Sequence, residues 1–347
     1  MKVFCSKKFK AFLQKEKCFL VDLEKQTIIG TIECGSEILM GCISEQEEYI
    51  VLTTALKQLE VFLLSTREKI ASIKLEKKCS AMETRLFKET EYLIIGDKVG
   101  DIMAFDLPKL VKKTFLIGHC ATVITGLVNV GDYLASSDRD EKVFICHFPQ
   151  TFNIQSICVG HKQYISAMIT VNDRIVTGSA DGTLRLWNIT EGKTVTEWYL
   201  DEILKVESEE ETVLIPSQLI SLQDSLFAGI VDESKKVFVL DAAKPECVRS
   251  VELPSCPVVM TMEAGELMAL CADMKLYKIH VKEETLEAEE VHLGFIDELT
   301  RMGYVYEKSV DEEESGELFK RIVKKRHPTS GGLEKQFEHD KRVYKSG

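Results

Sequence analysis

The chain has 347 residues, 45% hydrophobic and 29% charged, with a net charge of −12; this is the make-up of an ordinary globular protein and excludes a disordered or collagen-like chain. No apolar run is long enough to cross a bilayer, and charges interrupt the opening MKVFCSKKFK, so neither a membrane span nor a secretory signal is expected. The 11 cysteines are scattered, odd in number and free of any C-x-x-C pair, which points to reduced core thiols and gives no support to zinc.

In chain order, a first unit over residues 1–36 carries three apolar runs. Strand-like segments then begin at Tyr49, Tyr92, Tyr133, Arg174, Ser225 and Glu266, at steps of 43, 41, 41, 51 and 41 residues. Thirteen residues after each start stands an apolar side chain: Phe62, Phe105, Cys146, Trp187, Phe238 and Ile279. Seven residues after four of the starts stands an Asp: Asp140, Asp181, Asp232 and Asp273. The long step holds an acidic stretch at 201–212, expected as a loop insertion. Seven units of about forty residues fill residues 1–293. Residues 294–347 follow as an extension, an acidic linker and then a basic tail, partly disordered or helical.

The best copy reads Gly160-His161 and then Asp181-Gly182-Thr183-Leu184-Arg185-Leu186-Trp187-Asn188. A Gly-His pair followed by a turn Asp and an apolar strand ending in Trp resembles a WD repeat, one four-stranded blade of a ring. The expected fold is therefore all-β, a seven-bladed WD40 β-propeller closed by mixing strands from the two chain ends. Buried polar groups persist when paired, so His161 and Asp181 are expected to meet each other, with Thr177 or Ser179 and Trp187 completing the set. In the preceding unit the pair is His119 with Asp140, and Cys146 stands in for the Trp. A His, Asp and hydroxyl cluster resembles a hydrolytic triad, but the repeat pattern already accounts for all three.

Charge is unevenly placed: residues 316–347 carry nine Lys or Arg against four Asp or Glu, +5, so residues 1–315 sum to −17. Such a propeller is a poor general binder of polyanions. The basic groups of the tail, Lys320, Arg321, Lys324, Lys325 and Arg326, read as a solvated tail, a nuclear-import signal or an RNA contact. No G-x-x-x-x-G-K-[ST] is present and no G-x-G-x-x-G opens a helix. A binding protein without a cofactor or metal, and not an enzyme, is the expectation.

Three segments carry a more specific resemblance: Gly96-Asp97-Lys98-Val99-Gly100-Asp101-Ile102-Met103-Ala104-Phe105, then Asp138-Arg139-Asp140-Glu141-Lys142-Val143, then Gly160-His161-Lys162-Gln163-Tyr164-Ile165-Ser166. In this order they resemble the non-catalytic WD-repeat subunit of eukaryotic tRNA (guanine-N7-)-methyltransferase. The resemblance implies a heterodimer with a separate catalytic subunit that binds S-adenosylmethionine and methylates guanosine N7 in the tRNA variable loop. It implies tRNA contact through that complex and a nuclear location. Arg139, Lys142, Lys162 and Tyr164 then stand on one edge of the fourth and fifth blades, where Arg and Tyr are favoured anchors; local pairing of Arg139 and Lys142 with Asp138 and Glu141 is the alternative. Some relatives carry a basic residue after the serine matching Ser166, where this chain has Ala167, so the ion pair made there is absent or taken over by Lys162. A generic WD adaptor, such as a ubiquitin-ligase substrate receptor or chromatin scaffold, is the rival function.

Overall fold

A computed structural model of the chain describes residues 2–205, 214–282 and 285–305. They build seven four-stranded antiparallel sheets, each from four consecutive strands, and the first strands of neighbouring sheets face one another around a centre. The blades cover residues 2–33, 38–74, 79–118, 124–159, 165–199, 216–252 and 257–291. This is the expected seven-bladed propeller.

The repeat seen in the sequence marks the middle of each blade. Tyr49, Tyr133, Arg174 and Glu266 open second strands (Tyr49–Thr54, Tyr133–Asp138, Arg174–Ser179, Glu266–Cys271); Tyr92 lies just inside Thr90–Asp97, and Ser225 just before Leu226–Val231. The apolar residues thirteen positions on all lie on third strands and are at most 3% exposed. Middle strands are covered on both faces by adjacent blades, so they read as continuous apolar runs without alternation.

Ring closure differs from the expectation. Blade one comes wholly from the N-terminal strands and blade seven wholly from residues 257–291, so no strand is exchanged among the described residues. Each end supplies a complete sheet, and sealing falls to side-chain packing. Phe12, Phe19 and Val21 of blade one meet Met268, Leu270 and Leu276 of blade seven. The seal is capped by the segment after blade seven, whose Phe295, Ile296, Leu299 and Tyr304 join the same cluster. Tyr304 stands edge-on to both Phe12 and Phe19, at 5.6 and 5.9 Å between ring centroids. The fully buried Lys10 crosses the seam to Glu263 at 2.8 Å and to the Thr261 hydroxyl at 3.0 Å.

The compact unit runs over Met1–Tyr306, past the boundary expected at residue 293, because the helix Gly294–Arg301 is packed into the seam. The acidic stretch opens with a short helix, Leu200–Leu204, whose Leu200, Ile203 and Leu204 are buried while Asp201 and Glu202 stay exposed. Lys320, Arg321, Lys324, Lys325 and Arg326 lie outside the described residues. All eleven cysteines are free. Burial pushes the Cys146 and Cys158 thiols up to about 12, which makes them poor nucleophiles.

Candidate docking rim of blades four and five

The turns of blades four and five are set by buried hydrogen-bond networks. In blade five, His161 Nδ1 lies 3.1 Å from Asp181 Oδ2 and its Nε2 lies 2.7 Å from the Thr177 hydroxyl. The Trp187 indole N–H donates to that same hydroxyl at 2.7 Å. The Thr183 hydroxyl donates to Asp181 Oδ1 at 2.7 Å, and the Lys162 amide donates to Asp181 Oδ2 at 2.8 Å. Burial by itself raises the Asp181 carboxyl, but the bonds from His161, Lys162 and Thr183 outweigh it and hold the group below the usual carboxylate range. Thr177 is thus the hydroxyl of the network. Ser179 has another task, donating to the Gln163 carbonyl at 2.9 Å and accepting the Asp181 amide at 3.1 Å.

Blade four corrects one assignment. His119 Nδ1 pairs with Asp138 Oδ2 at 2.8 Å and its Nε2 with the Ser136 hydroxyl at 2.8 Å, so Asp140 is not its partner. Asp138 Oδ1 accepts the amides of Asp140 and Lys142 at 2.9 and 3.0 Å, which folds the turn and leaves Asp140 exposed at its tip. Asp138 ends its strand five residues after Tyr133, the offset at which Asp97 follows Tyr92. That shared offset marks Asp97 and Asp138 alike as carboxylates that fold their turns, and Ser136 follows Tyr133 by three residues as Thr177 follows Arg174; Thr183 had no comparable signal. Cys146 fills the Trp position, and His119 stacks on Phe144 at 4.2 Å. Both imidazoles are shut away from solvent, with no exposed side-chain surface, which rules out a substrate-facing triad here.

These networks present the four rim residues at one end of the two blades. Arg139 follows the second strand of blade four, its amide bonded to the Val123 carbonyl at 3.0 Å. Lys142 opens the third strand and pairs with Val159 at the end of the fourth, so the loop carrying Lys162 and Tyr164 leaves from the same end. Arg139, Lys142 and Lys162 are exposed, and Tyr164 is half-buried. Burial, and then the Asp232 carboxylate of blade six, push the Tyr164 hydroxyl up to about 12, with Arg139 pulling against them. Arg139, Tyr164 and Asp232 therefore share one electrostatic neighbourhood across three blades. Ala167 pairs with Gly178 and packs against the core of blades five and six, while Lys162 stands exposed in the loop before it.

The model of the family described as the tRNA methyltransferase TRM82 WD40 domain matches residues 108–273, which contain blades four to six. The Xenopus laevis tRNA (guanine-N(7)-)-methyltransferase non-catalytic subunit wdr4 is 24% identical over 83% of this chain and 76% of its own length. The chain resembles these non-catalytic WD-repeat subunits. The resemblance read from the three sequence segments is borne out, although Gly96–Phe105 falls outside the matched residues. A Dictyostelium discoideum wdr4 subunit is 27% identical over 53% of this chain, and a Drosophila grimshawi subunit named wuho is 32% identical over 48%. The chain spans 45% and 44% of the length of those two relatives. Among solved structures, the β-propeller domain of Myceliophteria thermophila Cps50 (Swd1) superposes with a TM-score of 0.64 at 12% identity, over 84% of this chain and 96% of that one. The RRP9 WD40 repeats give 0.63 at 15%, over 76% and 84%. These two likenesses concern the fold.

Proposed function

We propose that this chain is the non-catalytic subunit of a tRNA (guanine-N7-)-methyltransferase. In this reading it docks on a separate catalytic subunit that binds S-adenosylmethionine and holds it active for N7-methylation in the tRNA variable loop, within the nucleus. The observation that supports the reading most is the rim itself: Arg139, Lys142, Lys162 and Tyr164 stand together at one end of blades four and five, inside the matched residues 108–273. Rim charges of this kind steer encounter and select partners more than they add raw affinity. Asp138 holds His119 and two turn amides, so it acts as the scaffold of the Arg139–Lys142 turn. The buried histidines have no route to a substrate, in keeping with a subunit that leaves the chemistry to its partner.

Reconstitution tests the reading. The purified chain alone should transfer no methyl group, and adding the cognate catalytic subunit should give N7-methylguanosine at the variable loop. Methyl transfer by this chain alone, or a catalytic subunit that neither binds it nor responds to it, would overturn the proposal; the second result would favour a generic WD adaptor.

A further inference from the structure

In blades two to seven, the turn between the second and third strands holds one recurring backbone bond. An amide of the turn donates to the carbonyl just before that blade's first strand, at 2.8 to 3.1 Å, and the residues giving it are Ala55, Lys98, Arg139, Ala180, Asp232 and Ala272. The bond belongs to the main chain, so it leaves the side chain unspecified, and alanine suffices in three of the six blades. Blades three and four nevertheless carry an exposed cation there, blade five an alanine that is 2% exposed, and blade six an exposed anion. The sign of the charge reverses across blade five.

Asp232 reads in the sequence as the counterpart of Asp181, seven residues after a segment start. The second strand of blade six opens at Leu226, one residue after Ser225, and this shifts Asp232 one position back, level with Arg139. Asp181 is drawn into the buried network of blade five, whereas Asp232 is exposed and followed by the exposed Glu233. The turn that carries it is closed by Ser234, whose amide donates to the Val231 carbonyl at 3.2 Å and whose hydroxyl accepts the Lys236 amide at 3.2 Å. Tyr164 stands between the two charges: its carbonyl receives the Ala180 amide, and its hydroxyl is acted on by Asp232 and Arg139 in opposite senses. The three blades thus present a half-buried ring with a cation on the blade-four side and an anion on the blade-six side.

We infer, on the docking reading proposed above, that the rim continues onto blade six and receives a dipolar element of the catalytic subunit. An acidic side chain of that element faces Arg139, a basic one faces Asp232, and apolar surface covers the Tyr164 ring. Lys142 and Lys162 add to the first end and Glu233 to the second. Opposite charges in a fixed order select orientation as well as partner. An element laid the other way sets acid against Asp232 and base against Arg139, and like charges so juxtaposed are rejected. A rim read by its cations alone would accept an acidic surface in either direction.

Titration of the full chain with its cognate catalytic subunit, with melting measured on the same preparations, tests the assignment. Asp232→Lys is expected to weaken binding about tenfold or more, as Arg139→Glu does, with the melting temperature unchanged, and Asp232→Asn to weaken it by a smaller factor. Exchanging the pair, Arg139→Asp with Asp232→Arg, keeps opposite charges on either side of Tyr164 but reverses their order, so binding should still fall about tenfold. If Asp232→Lys lowers the melting temperature, Asp232→Asn decides in its place. Binding unchanged in the Asp232 variants, or restored by the exchange, overturns the assignment; with Arg139→Glu still impaired, docking on blades four and five stands without blade six. An unaltered chain that fails to bind the catalytic subunit overturns both.

Discussion

The indole N–H of Trp187 donates to the Thr177 hydroxyl at 2.7 Å, the same hydroxyl that lies 2.7 Å from His161 Nε2. An indole can only donate, so the Thr177 oxygen accepts from it and keeps its own O–H for a second bond. Across the ring the Asp181 carboxylate can only accept, so a neutral His161 carries its proton on Nδ1 and takes the Thr177 O–H at Nε2. The carboxylate thereby selects the tautomer of the histidine, and one threonine serves both the indole and the imidazole.

Thr177→Val, which keeps the shape and removes the hydroxyl, should leave both the indole N–H and His161 Nε2 buried without a partner. The expected loss is about 1–3 kcal/mol in chemical denaturation. Thr177→Ser should recover most of it. A neutral Thr177→Val would mean that the relay carries no stability.

Asp138 and Asp140 give a sharper contrast because they are two residues apart in one turn. Asp138→Ala strands the His119 imidazole and two amides and should cost about 1–3 kcal/mol. Asp140→Ala, at an exposed position, should stay within about 0.5 kcal/mol. Reversed values in a pair of denaturation curves would restore Asp140 as the partner of His119.

The blade count and the middle strands were legible because a strand covered on both faces repeats its bulk at a fixed offset, as Phe62, Phe105 and Trp187 do. The choice between Asp138 and Asp140 was not, since it depends on loop length. His119 precedes the first strand of its blade at Ile124 by five residues, and His161 precedes Ile165 by four. The seam was hidden for another reason: Phe12 and Tyr304 are nearly a whole chain apart, and no local pattern announces that they meet. Of the candidate rim, the four residues were legible only through the family resemblance, while the approach of Asp232 to Tyr164 needed the ring.

Glu83, on the first strand of blade three, gives the chain a pH dependence of unusual sign. Burial raises its carboxyl to about 7, with the Thr84 amide pulling down and Glu45 pushing up. The folded state therefore holds a proton that the unfolded chain releases near pH ~4.3. Stability from this group is fully present below that pH and is lost as pH rises through about 7. Glu83→Gln should flatten the fall in denaturation midpoint between about pH 4 and 7. A slope unchanged by the substitution would place the proton elsewhere.

The basic tail offers a test by salt. If residues 316–347, at +5, touch tRNA within the complex, truncation after Ser315 should weaken tRNA binding most at low salt. For every phosphate the shortened chain no longer reaches, the log–log salt dependence should flatten by about 0.7–0.9. Unchanged slopes with loss of nuclear accumulation in cells would assign the tail to import.

The rim separates docking from folding. Arg139 and Lys142 are exposed, and the turn beneath them is held by Asp138 through backbone amides that a side-chain change leaves in place. Reversing both to Glu should therefore shift stability by no more than about 0.5 kcal/mol per site. If the rim meets a complementary acidic surface on the catalytic subunit, as the proposed docking requires, removing two positive charges and adding two negative ones costs on the order of several kcal/mol. Binding to the catalytic subunit should fall at least tenfold, with the larger part of the change in association rate at low salt, and methylation should fall with it. Lys162→Glu in the neighbouring loop should act in the same direction, because its amide, not its ammonium, is what Asp181 holds. Melting and binding measured on the same preparations decide the matter: a reversed rim that unfolds the propeller, or one that binds and activates normally, would move the docking surface off these two blades.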